Sequence, residues 1–106
     1  MRELSVEDAH GAWQAGQAAI VDVREMDEHD ATRIPGVPLI PMSELLERLD
    51  ELPEGPLVIM CRSGQRSAAV ASYLAEEGGR TEVSNLEGGI IAWAAGGLPY
   101  EGDSPR

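Results

Sequence analysis

Lysine, phenylalanine and long apolar runs are absent from this sequence, and cysteine occurs once. Without lysine the chain has neither a Schiff-base amine nor the lysine of a phosphate-binding P-loop. A single cysteine excludes an internal disulfide and leaves one free thiol to be explained. No segment approaches the roughly 20 apolar residues of a membrane-spanning helix, and the first residues lack the apolar core of a signal peptide. We therefore expect a cytoplasmic protein.

Basic residues are scarce as well. Acidic residues outnumber them 19 to 8, and the formal net charge is −11. Nucleic acids and anionic membranes bind extended basic surfaces, so we expect neither as a partner. A basic partner protein is compatible with this charge.

The chain of 106 residues is long enough for one compact domain. Its end is polar and contains proline, which predicts a domain over residues 1–100 and a short flexible tail over 101–106. Apolar runs predict strands at residues 18–23, 39–40, 57–60 and 81–86. Helical spacing and caps predict helices after Ser5, after Ser43 (with Leu45, Leu46, Leu49 and Leu52), over 67–77 and over 90–95. The alternation of strands and helices indicates an α/β domain with a mostly parallel sheet.

Cys61 follows one of these strands and precedes a helix. Ligands of parallel α/β sheets bind at the carboxyl ends of strands, where helix N-termini offer unpaired N–H groups. Gly64 allows the loop over residues 61–66 to curl so that its amides point inward, and Arg62 and Arg66 add positive charge. These features predict a thiol with a lowered pKa that reacts as a nucleophile, whereas a cysteine used only for packing needs no such polar loop.

The segment Cys61-Arg62-Ser63-Gly64-Gln65-Arg66-Ser67 resembles the active loop of the rhodanese-like family, in particular its single-domain sulfurtransferases, where Cys-Arg-Ser-Gly-x-Arg-Ser is typical. Other segments resemble the family in the same order along nearly the whole chain: Asp22-Val23-Arg24-Glu25, Ile34-Pro35-Gly36, Asn85-Leu86, Gly88-Gly89 with Trp93, and Leu98-Pro99. The resemblance implies a mostly parallel five-stranded sheet flanked by helices on both faces. It implies no cofactor and no metal.

The resemblance also implies a function, in which Cys61 is the catalytic residue and takes sulfane sulfur from thiosulfate or a persulfide donor. The sulfur then passes to a thiol or a cyanide-like acceptor, in a double displacement. The substrate-binding residues implied by the family loop are Arg62, Ser63, Gly64, Gln65, Arg66 and Ser67. The sequence departs from the family at Thr32-Arg33, where Gly-His is common, and at Met60, where tyrosine is common.

Two other interpretations stay open. In a phosphatase or arsenate reductase on the same scaffold, an arginine follows the cysteine by six residues, and here that position is Ser67. A persulfide relay module that serves partner proteins fits the small acidic chain as well as an independent enzyme does. We expect Asp22 and Arg24 to form a structural ion pair beside the site. His10 and His29 lack metal-ligand spacing with Cys61.

Overall fold

The computed structural model describes residues 1–105, and Arg106, the last residue of the expected tail, lies outside them. The elements follow the order β1 (Arg2–Leu4), α1 (Val6–Gln14), β2 (Ala19–Asp22), α2 (Met26–Ala31), β3 (Thr32–Arg33), two 3-10 turns (Met42–Glu47 and Leu49–Glu51), β4 (Leu57–Met60), α3 (Gln65–Glu76), β5 (Val83–Leu86), α4 (Gly89–Ala95) and β6 (Glu101–Gly102). None of the described helices has both the length and the apolar character needed to cross a membrane.

The central sheet has four parallel strands in the order β1-β5-β4-β2, which confirms the α/β prediction. The expected fifth strand at residues 39–40 is reduced to a single parallel bridge between Asp22 and Leu39. Pro38 and Pro41 flank this segment, and proline has no N–H to extend a ladder of hydrogen bonds. Strands β3 and β6 form a separate antiparallel pair.

Helices cover both faces of the sheet, as expected. The side chains of β4 alternate between them: Leu57 and Ile59 pack on the side of α3, and Val58 and Met60 pack on the side of α1 and α4. All four are buried, because a central parallel strand has no solvent face. This packing fixes the end of β4, where Cys61 follows.

The helix expected after Ser43 is instead a pair of 3-10 turns, so the prediction of an α-helix there was wrong. The Ser43 hydroxyl does not cap a helix but lies 2.6 Å from a carboxylate oxygen of Glu25. Only part of the leucine set is buried, since Leu45 is 4% exposed and Leu46 67% exposed. A 3-10 turn repeats every three residues and cannot hold four leucines on one stripe.

Part of the expected flexible tail is held against the body of the domain. Strand β6 pairs with β3, with Gly102 opposite Thr32. The Thr32 hydroxyl donates to the carbonyl of Asp103 at 2.6 Å, and the Asp103 amide donates to the carbonyl of Ala31 at 2.8 Å. These hydrogen bonds close one side of the region around the cysteine loop.

Candidate active site

Cys61 is the first residue after β4 and is 1% exposed. It lies at the carboxyl end of the sheet, and α3 begins four residues later, after its cap Gly64. Its Sγ atom is contacted by the amides of Gly64 at 3.1 Å and Ser67 at 3.3 Å and by the hydroxyl of Ser67 at 3.2 Å. The sulfur therefore sits in a cradle formed largely by the backbone at the start of α3.

Three carbonyls of the loop are held by hydrogen bonds from α4 and β5. The carbonyls of Cys61 and Arg62 accept hydrogen bonds from the amides of Ile90 and Ile91, at 3.0 and 3.2 Å. The carbonyl of Gly64 accepts one from Nδ2 of Asn85 at 3.0 Å. The Arg62 carbonyl shares its peptide with the Ser63 amide, and the C=O and N–H of one trans peptide point in opposite directions, so holding this carbonyl turns the Ser63 amide toward the thiol.

Two glycines make this arrangement possible. Gly64 has a φ of 98°, which side-chain-bearing residues rarely adopt, and a Cβ there would lie 3.2 Å from the amide nitrogen of Gly88. A Cβ at Gly89 would overlap the carbonyl oxygen of Arg62. The start of α4 can therefore approach the loop closely only where side chains are absent.

The thiol pKa reflects two opposing effects. Burial raises the pKa of Cys61, and hydrogen bonds from the Ser67 hydroxyl and from the amides of Ser67, Gly64 and Ser63 lower it. The hydrogen bonds prevail, so the pKa lies below its ordinary value. The direction agrees with the sequence prediction, but donors of the loop and α3, rather than Arg62 and Arg66, are the leading cause.

Arg66 is held by a carboxylate that the sequence analysis did not identify. Its guanidinium nitrogens lie 2.7 and 2.8 Å from the two carboxylate oxygens of Glu28 in α2, a bidentate pair. The hydrogen bond from Arg66 is the main reason that the pKa of Glu28 is lowered to about 2. The pair balances the charge of Arg66, which the family loop implied as an anion-binding residue.

The remaining loop residues divide by exposure. Gly64 and Ser67 are buried and contact the sulfur, whereas Arg62, Ser63 and Gln65 are exposed. The loop over residues 61–67 thus offers backbone donors on its inner side and polar side chains on its outer side.

Asp22 and Arg24 form the expected ion pair, with 2.8 Å between a guanidinium nitrogen and a carboxylate oxygen, and both are nearly fully buried. Arg24 also donates to the carbonyl of Thr32 at 2.6 Å. The pair therefore ties the end of β2 to β3 and supports α2, which carries Glu28. The sequence departs from the family pattern at Thr32-Arg33. Thr32 is buried and its hydroxyl donates a hydrogen bond to the carbonyl of Asp103, and Arg33 pairs with Glu101 at 3.2 Å.

A cavity of about 230 Å³ lies beside the loop and contains Arg62 in its wall. The other lining residues come from α2, β3, α4 and the chain end: Arg24, Glu28, Ala31, Thr32, Ile90, Asp103, Ser104 and Pro105. Its walls combine charged side chains of both signs with apolar side chains.

A second set of contacts extends from Ser67 to the first strand. The Ser67 hydroxyl oxygen lies 2.5 Å from Oδ1 of Asn85, and Nδ2 of Asn85 lies 2.9 and 3.1 Å from the carboxylate oxygens of Glu3. Sequence reasoning missed Glu3 and Glu28. The Glu25-x-x-Glu28 spacing, which forms a capping box, was an available indication of α2. No local pattern indicated Glu3.

Comparisons with known proteins agree with this geometry. The family model of the rhodanese-like domain matches residues 5–96. A protein of Allochromatium vinosum named sulfurtransferase is 59% identical over 44 residues, which are 41% of this chain and only 39% of that relative's length. A rhodanese-related protein of Thermoplasma volcanium superimposes with a TM-score of 0.84 at 30% identity, over 97% of this chain and 100% of that one. A thiosulfate sulfurtransferase of Pseudomonas aeruginosa gives a TM-score of 0.83 at 28% identity, over 100% of this chain and 21% of that one.

Proposed function

The chain belongs to the rhodanese-like family, and we propose that it is a sulfurtransferase in which Cys61 carries the sulfur as a persulfide. The observation that carries this proposal is the convergence of the Gly64 amide, the Ser67 amide and the Ser67 hydroxyl on one buried sulfur. Hydrogen bonds of this kind stabilise a thiolate, which is the nucleophilic form of cysteine.

The reaction has two displacement steps, and Sγ of Cys61 takes part in both: it is the nucleophile in the first and the leaving group in the second. The Cys61 thiolate attacks the sulfane sulfur of thiosulfate, the new S–S bond forms, and sulfite leaves with the electron pair of the old bond. A thiolate or cyanide then attacks the terminal sulfur of the persulfide, and Sγ leaves as a thiolate. No external oxidant or reductant is needed. The amides that stabilise the attacking thiolate also stabilise Sγ as the leaving group.

The cradle suits a terminal sulfur better than a phosphoryl group. A phosphatase of this scaffold needs an arginine six residues after the cysteine, and Ser67 occupies that position. Arg66 comes one residue earlier and is engaged with Glu28. The contacts to Sγ come from two backbone amides and the Ser67 hydroxyl, and a persulfide carries one negative charge where a phosphoryl group carries two.

We also propose which classes of molecule donate the sulfur and accept it. Thiosulfate or a persulfide is the donor, and a thiol or cyanide-like nucleophile is the acceptor. The alternative is that the chain is itself a relay module, which receives sulfur from a donor protein and delivers it to another protein. Measured side by side, transfer from persulfidated candidate proteins and from thiosulfate distinguishes the two, because a relay module reacts faster with its protein donor than with the small anion.

The direct test is intact-mass measurement after incubation with thiosulfate. The unaltered protein should gain one sulfur atom, and cyanide should remove it as thiocyanate. Cys61→Ser should gain none, and thermal unfolding of that variant checks that it is folded. Hydrolysis of an aryl phosphate by a protein that never gains sulfur would refute the proposal in favour of a phosphatase.

A further inference from the structure

The Ser67 hydroxyl faces two acceptors but has one proton. Its oxygen lies 3.2 Å from Sγ of Cys61 and 2.5 Å from Oδ1 of Asn85. The carbonyl oxygen of an amide has no proton to give, so Ser67 must be the donor in the shorter contact. Ser67 then presents a lone pair to the sulfur. That lone pair can accept the S–H of a neutral thiol, but it repels a thiolate.

The orientation of the Asn85 amide is fixed by chemistry. Its other end lies 2.9 and 3.1 Å from the two carboxylate oxygens of Glu3 and 3.0 Å from the carbonyl oxygen of Gly64. All three atoms are acceptors, so the NH₂ group must face them and Oδ1 must face Ser67. Asn85 is 2% exposed and Ser67 is fully buried, so water does not come between these two residues, whereas Glu3 lies at the surface.

We propose that Asn85 and Glu3 are positioning residues for Cys61. While the sulfur carries a proton, they keep the Ser67 hydroxyl donating to Oδ1 of Asn85. When the sulfur is a thiolate, the hydroxyl turns and donates to Sγ instead. This inference rests on the proposed role of Cys61 as the reacting group. On ionisation the thiol proton goes to solvent base, and the hydroxyl rotates without any other bond breaking. An amide carbonyl is too weak a base to take a proton, so the chain of residues orients Ser67 and does not conduct protons.

Glu3 strengthens the hold of Asn85 on the hydroxyl. A carboxylate that accepts from Nδ2 polarises the amide, and hydrogen bonds in series strengthen one another. Replacing Glu3 by glutamine weakens this polarisation, so Oδ1 competes less well for the Ser67 proton. The thiolate then gains a stronger donor, and Cys61 ionises more readily. Loss of the negative charge of Glu3 acts in the same direction, so the experiment has to separate the two effects.

The other charged groups around the sulfur are left unaltered by such a change. Arg62 belongs to the same loop, and Arg66 of α3 interacts electrostatically with Cys61 and with Asp22 at the end of β2. Glu28 of α2 pairs with Arg66, and Arg24 pairs with Asp22. In the described part of β4, β5 and α4 there are no charged side chains.

The test is a set of variants assayed by iodoacetamide alkylation of Cys61 as a function of pH. Glu3→Gln is compared with Glu87→Gln, each made alone and together with Ser67→Ala. Glu87 is an exposed carboxylate that follows β5, and its amide donates to the carbonyl of Leu4 at 2.9 Å. Its side chain makes no hydrogen bond or ion pair within residues 1–105, so it serves as a matched charge control.

We expect Ser67→Ala to move the alkylation midpoint to higher pH. Below the midpoint, Glu3→Gln should raise the alkylation rate about twofold more when Ser67 is present than in the Ser67→Ala protein. Glu87→Gln should have the same small effect in both backgrounds. Equal effects of Glu3→Gln in the two backgrounds would overturn the inference, since Glu3 would then act by charge alone.

Two further comparisons keep the result decisive. If Ser67→Ala does not fold, as judged by thermal unfolding, equal shifts for Glu3→Gln and Glu87→Gln in the unaltered background overturn the inference. Alkylation uses no sulfur donor, so the outcome is independent of whether thiosulfate loads Cys61. A protein that fails to gain sulfur but shows the dependence on Ser67 would refute the proposed function and leave the positioning role intact.

Discussion

Replacing Gly64 by alanine tests the cradle where the backbone is most constrained. At φ 98° the left-handed backbone costs a residue with a side chain roughly 1–2 kcal/mol, and alanine recovers about 0.4–1 kcal/mol by restricting the unfolded chain. The new Cβ also meets the Gly88 nitrogen at 3.2 Å and the Leu86 carbonyl oxygen at 3.4 Å, both backbone atoms that cannot rotate away. Overpacking of this kind costs about 1–3 kcal/mol. We expect Gly64→Ala to lower the free energy of unfolding by about 2–3 kcal/mol.

Gly64→Ala should also change the pKa and the reactivity of the Cys61 thiol. When the loop shifts to admit the Cβ, the bond from the Gly64 amide to Sγ, now 3.1 Å, lengthens and the pKa of Cys61 rises. At a pH below the alkylation midpoint, the alkylation rate of Cys61 should fall about tenfold, because a hydrogen bond to a charged group is weakened.

Gly79→Ala is the matched control for Gly64→Ala. Gly79 also has a positive φ, of 70°, but a Cβ there meets nothing within 4 Å. Urea unfolding should therefore show a loss of about 1 kcal/mol or less, with unchanged alkylation. If the two variants lose equal stability and both keep the alkylation rate, the contact of Gly64 with Gly88 has no role in shaping the cradle.

Three further outcomes follow from the pairs around the site. Glu28→Gln removes the carboxylate that pairs with Arg66, so the charge of Arg66 becomes available to an anion. The KM for the thiosulfate dianion should then fall about twofold at low salt. An unchanged KM would exclude Arg66 from capture of the donor. The pKa of Glu28 is about 2 in the folded protein against an ordinary 4.5, so its contribution to the free energy of unfolding is present above pH 4.5 and is lost as the pH falls toward 2. Urea unfolding at acid pH should show this contribution in the unaltered protein and not in Glu28→Gln. Gly102→Ala places a Cβ against the Ala31 carbonyl at φ 93°, so amide exchange at Asp103 should accelerate while the thermal midpoint changes little.

The elements that the sequence predicted well are those with strong local patterns. The run at residues 57–60 is β4 with the same bounds, and α3 begins two residues before the predicted start at Ser67. Four apolar residues between a glycine-proline turn and a polar loop describe a buried parallel strand without reference to the rest of the chain. The cysteine loop lies between these two elements, which is why its position was predictable.

The strands that were missed have their partners far along the chain. Strand β1 has three residues, of which only Leu4 is apolar, and it exists because it pairs with β5, more than 80 residues later. The pair β3–β6 likewise joins segments about 70 residues apart. Propensity and periodicity describe only neighbours, so a short strand fixed by a distant partner leaves no local pattern.

The same distinction explains why the chemistry of the loop differs from the sequence prediction. Considered alone, the loop has two arginines beside a thiol, which predicts a positively charged site. The fold adds Glu28 opposite Arg66 and brings the amides of Ile90 and Ile91 onto the loop carbonyls. The lowering of the Cys61 pKa therefore rests on the Ser67 hydroxyl and on backbone amides at contact distance more than on side-chain charge. In the proposed reaction, dipoles held by a rigid backbone need no reorganisation when the sulfur alternates between thiolate and persulfide, and salt screens them little. A strongly acidic chain can thus lower the pKa of its thiol without a basic surface to support it.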